Sequence, residues 1–329
     1  MQNTQDPVDP DALISLLQCA DASYQQPEIP TRVGRKPIYS ARSFLLLAVV
    51  AVTTHTFRDS ELRRLLEGDA RLREALAFAS IPHRTTIGRR LATLIPHAEA
   101  QIARLGRQIL GEVEPDESES EVSAVDGRMY EAVGPQWHAK NRREGRIPQG
   151  LRNVDTDSAW SKSGYRGWVQ GYRLILQTLV FPDAVPICAL WSSNASGEAT
   201  VVEQALEAGV LQVTDVMLGD TSFGGEDLTA AYASAGGWIL TPKQLPTERR
   251  SWKDDLYEYR KETIELLFAR IIETSGLRKC PVRGIGRNGA FILASVWIYQ
   301  ICFLNNYRSG KPVAQIKAIL ETARWRAVA

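Results

Sequence analysis

The spacing of apolar residues divides the chain into a helical first third and a mixed remainder. From residue 40 the segments ARSFLLLAVVAVTT, ELRRLLEG, ARLREALAFA, TTIGRRLATLI and PHAEAQIARLGRQIL carry apolar residues at three- and four-residue steps, the period of amphipathic helices. Ser40 stands where it can cap the first of them. An earlier helix is expected from Pro10 or Asp11 to about Ala22, inside an N-terminal arm spanning 1–30. Pro82 ends a turn and Thr85 or Thr86 can cap the helix that follows, which sets Arg84, Arg89 and Arg90 near the start of one exposed face. Two readings fit that face: a helix-turn-helix, or a plain helical bundle with solvated arginines.

Beyond residue 121 the period shortens to that of strands. VSAVDGRMYEAVG at 122–134, GWVQGYRLILQTLVF at 167–181 and VPICALWSS at 185–193 read as three strands in succession. GEATVVEQALEAGV then reads as a helix, TDVMLGD as a strand ending in Asp220, EDLTAAYASAG as a helix, GWILTP as a strand, and ETIELLFARIIE at 262–273 as a further helix. The order β-β-β-α-β-α-β-α is that of a ribonuclease H-like α/β fold, a mixed sheet with helices on its faces. In that arrangement Asp126 and Asp220 lie on neighbouring strands, and Glu265 on the later helix can reach the same end.

Composition adds a frame. With 329 residues, 44% apolar and 23% charged, the chain can bury a full core and has room for two domains. Cys19, Cys188, Cys280 and Cys302 are far apart and show no C-x-x-C pairing, so neither a zinc site nor a disulfide framework is expected, and a reducing cytosol suits them. The first residues lack the basic region of a signal peptide, and no segment is expected to reach the length and apolarity of a membrane span; FLLLAVVAV at 44–52 reads as a core helix.

The net charge of +1 conceals an uneven distribution. Arginines and lysines, among them Arg32, Arg35, Lys36, Arg63, Arg64 and Arg104, outnumber acids between 31 and 110, which suits a polyanionic partner. EVEPDESESE at 112–121 has the composition of a solvated linker. The expected division is therefore an arm over 1–30, a basic helical domain over 31–111, a linker over 112–121, and a ribonuclease H-like domain with a helical extension over 122–329. A second basic stretch, Lys140, Arg142, Arg143, Arg146 and Arg152, follows the first strand around Trp137 and His138, with Lys162, Arg166, Arg173 and Lys243 adding to it. It reads as a phosphate-binding loop or as an ordinary solvated one.

Asp126 follows VSAV and Asp220 follows VMLG, so both acids interrupt apolar strands. A buried, unpaired carboxylate is costly, and a bound cation offsets that cost. Three carboxylates gathered at one edge suit in-line displacement at phosphorus, where two divalent ions about 3.5 to 4 Å apart stabilise the attacking and leaving oxygens. Magnesium, with manganese as a substitute, prefers a few carboxylates plus water and substrate oxygens. Asp126 would then be shared between the ions, with Asp220 and Glu265 each holding one.

These residues resemble a known family. AVDGRMYEA is similar to the first catalytic block of IS4- and IS5-type insertion-sequence transposases, DSAWSKSGYRGWVQGYRLIL to their second strand, VMLGDTSFGGEDL to the second aspartate block, and YRKETIELLFARIIETSGLRK with RGIGRNGAFILASVWIYQICFLNNY to the final acidic block and last helix. The resemblance covers about 110–310 and implies a DDE DNA transposase of a bacterial cytoplasm, associated with the nucleoid. It would cleave and join transposon ends with magnesium at Asp126, Asp220 and Glu265. Its partners would be double-stranded DNA, both terminal inverted repeats and target, and a second copy in an active homodimer. Candidate DNA contacts are Arg84, Arg89, Arg90, Lys140, Arg142, Arg143, Arg260, Lys261 and Arg270.

The chain departs from the fuller family signature, in which tyrosine, arginine, glutamate and lysine recur at fixed spacing. Measured from Glu265 those positions hold Glu258, Lys261 and Ile272, while Tyr257 and Arg260 keep their mutual step one residue out of register. Glu262 and then Glu273 are the alternative acids; Glu265 is preferred because IELLFARII sets it beside the apolar face, whereas Glu262 falls where a carboxylate complements a helix dipole. Two rival functions stand beside transposition: a transposase-derived DNA-binding protein without catalysis, and a metal-dependent nuclease of the same fold.

Overall fold

The computed structural model describes residues 10–26, 38–113, 121–164, 166–244 and 251–317. Residues 1–9 and 27–30 of the expected arm, together with Arg32, Arg35 and Lys36 and most of the acidic stretch at 112–121, lie outside the described residues.

Six helices come first: α1 (Pro10–Ala22), α2 (Ala41–Thr53), α3 (Asp59–Gly68), α4 (Ala70–Ala75), α5 (Arg84–Leu91) and α6 (Ile95–Glu112). The Ser40 hydroxyl accepts the Ser43 amide at 3.0 Å and caps α2, whose side chains from Phe44 to Ala51 are wholly buried. The cap of α5 differs from expectation. Thr85 and Thr86 are already helical, and extended His83 takes the cap position, its Nδ1 accepting the Thr85 amide at 3.4 Å.

The remainder runs β1 (Val122–Glu131), α7 (Ala139–Arg143), β2 (Ala159–Ser163), β3 (Gly167–Leu179), β4 (Val185–Ser193), α8 (Glu198–Glu207), β5 (Val216–Leu218), α9 (Glu226–Ser234), β6 (Trp238–Leu240), α10 (Trp252–Arg260), α11 (Leu266–Ser275) and α12 (Ile285–Arg308). β3 pairs antiparallel with β1 on one side and with β4 and the short β2 on the other; β1 pairs parallel with β5, and β5 with β6. Three long antiparallel strands followed by two short parallel ones make the ribonuclease H-like sheet. β2, which adds a strand to the expected order, pairs with the first part of β3, ahead of β4.

Both faces of the sheet are covered, so successive residues of one strand enter different cores. Ala124, Leu174, Leu176 and Leu218 share one core with the helices α2, α6 and α12, while Val125, Ile175, Met217 and Ile239 share another with α8 and α9. Helices from before residue 113 thus share one apolar core with the sheet. Gly106 permits a close helix–strand approach: a Cβ there would stand 2.0 Å from the Ile187 carbonyl oxygen, so α6 lies directly on β4.

α12 corrects the expectation about membrane spans. Within its 24 residues an 18-residue window with a mean hydropathy of 1.3 passes by length and composition, and 94% of that window is buried inside the protein. Burial here is in protein, where Gln300 Nε2 donates to the carbonyls of Ile102 (3.0 Å) and Pro186 (2.8 Å). Asp155 and Asp157 accept the amides of Gly284 and Ile285 at its start, where negative charge complements the helix dipole.

Candidate active site

Parallel pairing brings the two aspartates together. β1 and β5 are in register with Ala124 opposite Leu218, and each chain carries its aspartate two residues further on. β5 ends there, and Asp220 caps a 3₁₀ turn (Thr221–Phe223), its Oδ1 accepting the Ser222 amide at 2.8 Å and the Ser222 hydroxyl at 2.5 Å. Asp126, on the longer strand, has its Oδ1 on the Gly127 amide at 2.8 Å.

A cavity of about 820 Å³ opens at this strand end. Asp126, Asp220 and Glu265 all line it, as do Glu198 and the basic residues Arg128, Lys162, Arg166, Arg173, Arg260 and Lys261. Glu265 ends a π-helical turn, Lys261–Glu265, that joins α10 to α11. Ile264 beside it is fully buried, which anchors the turn to the core while Glu265 stays exposed. Glu262 is exposed and does not line the cavity, and Glu273 pairs with Lys317 at 2.9 Å.

The π turn accounts for the one-residue displacement of Tyr257 and Arg260. In a regular α-helix residues five apart stand about 140° apart round the axis, against about 40° for residues four apart. A π turn bonds i to i+5 and so accommodates one extra residue per turn. Arg260, five residues before Glu265, consequently lines the same cavity. Its guanidinium, only 9% exposed, stands 3.3 Å from Asp126 Oδ2 and over the Tyr257 ring at 5.9 Å.

Electrostatics set Asp126 apart. Burial pushes its carboxyl up to about 6, against the pull of Arg260 and the Gly127 amide and with added repulsion from Asp220 and Glu198. Desolvation wins over one arginine and one hydrogen bond. Perturbed groups of this kind cluster at functional sites.

The donor set suits a hard divalent cation. All candidate ligands are carboxylate oxygens, and the most buried of them holds its charge at a cost. Among the described residues no three His, Cys, Asp or Glu side chains stand close enough together to hold a metal ion between them.

The other expected contacts fall into three groups. Arg260 and Lys261 line the cavity, as do Lys162 and Arg166. Arg84, Arg89, Lys140 and Arg143 are exposed and Arg142 half-buried, away from the cavity lining. Arg90 and Arg270 are engaged elsewhere: Arg90 donates to the Tyr39 carbonyl at 3.0 Å and lies over Phe44, and Arg270 bonds Tyr299 of α12. Ile272, at the signature's lysine position, is 7% exposed and belongs to the core. Trp137 is also buried, its indole donating to the Arg146 carbonyl at 3.0 Å, so it shapes the basic loop from inside.

Glu198 was not among the expected residues. Its only sequence signal is an acid opening GEATVVEQALEAG, which reads as dipole complementation. In the fold its Oε1 pairs with Arg173 Nε at 3.0 Å, at 16% exposure.

No family profile matches the chain, and no curated protein is similar enough to match. Among solved structures the chain is similar to a piggyBac transposase synaptic complex with hairpin DNA, at 9% identity over 98% of this chain and 80% of that one, with a TM-score of 0.44. It is also similar to the Mos1 strand transfer complex, at 12% identity over 90% and 78% of the two chains, with a TM-score of 0.28.

Proposed function

We propose that this protein is a DNA transposase of the DDE type, cleaving and joining transposon ends, with Asp126, Asp220 and Glu265 as its acids. The observation that carries the reading is a single cavity in which these acids, drawn from β1, the end of β5 and the π turn, stand among arginines and lysines. The alternation of acid and base suits a phosphodiester, since the cations hold phosphate oxygens while the acids hold what activates them. The motif resemblance over about 110–310 supports transposition over other phosphodiester chemistry.

When bound, a divalent cation at these carboxylates supplies Lewis-acid stabilisation of the oxygens at phosphorus and lowers the pKa of a bound water. The chain's own residues do the rest. Lys162, Arg166 and Lys261, exposed at the cavity wall, hold the backbone of the strand to be cut. Arg260 keeps the Asp126 carboxylate oriented and partly neutralised until it is needed. Ser222 holds one oxygen of Asp220 through its amide and its hydroxyl. Arg84, Arg89 and the α7 cations offer a second, outer surface for duplex DNA. Joining two ends requires two active sites, so the working form is at least a dimer.

Labelled duplex bearing the element's terminal repeats, incubated with purified protein and Mg²⁺, tests the reading. Cutting followed by joining is expected, and Asp126→Ala, Asp220→Ala and Glu265→Ala should each abolish both while DNA binding persists. Cutting without joining would make the protein a nuclease; binding alone would end the catalytic reading.

A further inference from the structure

Glu198 touches both halves of the site without belonging to the expected triad. It is the first residue of α8, and its carboxylate is gripped from two sides. Oε1 pairs with Arg173 Nε at 3.0 Å; Arg173 is itself 7% exposed and tied to the Ser196 carbonyl at 3.0 Å and the Ser161 hydroxyl at 3.3 Å. Oε2 accepts from the Ser222 hydroxyl at 3.2 Å, and the same hydroxyl stands 2.5 Å from Asp220 Oδ1.

A serine hydroxyl has one proton and here faces two carboxylates. The short bond goes to Asp220, so Glu198 and Asp220 compete for one donor and stand on either side of it. The strand side is equally close. A Cβ at position 127 would lie 2.4 Å from Glu198 Oε1, so only glycine next to Asp126 lets the Glu198 carboxylate settle over β1. Its charge reaches Asp126 as a repulsion. An acid fixed this firmly between two others raises the energy of the empty site, since Arg173 and Arg260 offset only two of the three charges.

We propose that Glu198 is a positioning residue of the catalytic site: acting through Ser222 it aims the Asp220 carboxylate into the cavity, and its fixed charge strengthens divalent-cation binding by Asp126 and Asp220. The proposal rests on the metal-dependent reading above. Arg173 and Gly127 serve it, one by holding Glu198 and the other by making room.

The test measures Mn²⁺ affinity of the chelator-stripped full-length protein, by the loss of the free-ion electron spin resonance signal, in Glu198→Gln, Ser222→Ala and Asp126→Asn. Ser222 is exposed, so Ser222→Ala should fold even if Glu198→Gln does not. Glu198→Gln should weaken Mn²⁺ binding at least tenfold, Ser222→Ala by a smaller factor, and Glu198→Asp should restore part of the loss. Cleavage at saturating Mn²⁺ should recover in both variants, because the acids themselves remain. If Asp126→Asn weakens binding while Glu198→Gln and Ser222→Ala leave it unchanged, Glu198 is only a structural partner of Arg173 and the inference fails alone. If wild type and Asp126→Asn bind Mn²⁺ alike, the metal-dependent reading fails and takes the inference with it.

Discussion

Asp126→Asn should make the cation-free protein more stable at neutral pH. Burial raises this carboxyl from its ordinary 3.8 to about 6, so the folded chain holds the proton more tightly than the unfolded chain does. Ionising Asp126 therefore costs stability: nothing below about pH 4, progressively more up to about 6, and the full amount above that. At ~1.36 kcal/mol per pH unit the full amount is at most about 3 kcal/mol. The side chain is 23% exposed, so solvent screening removes only part of it. Asparagine matches the neutral acid in shape, keeps an oxygen for Arg260, and removes the cost. Urea unfolding with a chelator present should show the variant more stable by about 1 to 3 kcal/mol at pH 7.5, with the gain vanishing near pH 4. Added Mg²⁺ should stabilise the wild type and leave the variant unchanged. A variant equal to or less stable than wild type at pH 7.5 would refute the reasoning, since it would make Asp126 a structural acid whose pairing with Arg260 outweighs its burial.

The π turn predicts an unusual tolerance. Deleting Glu262 should relax Lys261–Glu265 to an ordinary α-helical turn with Arg260 four residues before the next acid, so cleavage and thermal stability should largely survive; deleting Ala269 in α11 turns the helix by about 100° and should abolish both. Loss of cleavage in the Glu262 deletion with the fold intact would point to Glu262 as the third acid. Arg89→Ala should weaken binding to end DNA and lower the salt slope by about one. Arg90→Ala should instead lower stability by about 1 kcal/mol, because its guanidinium holds the Tyr39 carbonyl; thermal melts and binding titrations separate the two. Gly127→Ala should displace Glu198 and weaken Mn²⁺ binding with little change in melting temperature, and unchanged affinity would mean that Glu198 yields without consequence.

Much of the fold was legible in the chain, because it depends on local periodicity. The long strands β1, β3 and β4 and the helices α1 and α2 announce themselves by alternation or three-to-four spacing, and Ser40 marks its own helix start. What local pattern cannot reveal is registry and crowding. Parallel pairing of Ala124 with Leu218 decides that Asp126 and Asp220 run side by side, and only the π turn explains how Arg260 and Glu265 share a cavity despite a one-residue shift. Glu198 stayed hidden because its partners Arg173, Ser222 and Gly127 come from a strand, a turn and another strand; a glutamate opening a helix looks like any other until the chain is folded around it. α12 was equally opaque: its composition would suit a bilayer as well as a core, and only its packing among α2, α6 and β4 decides between the two solvents.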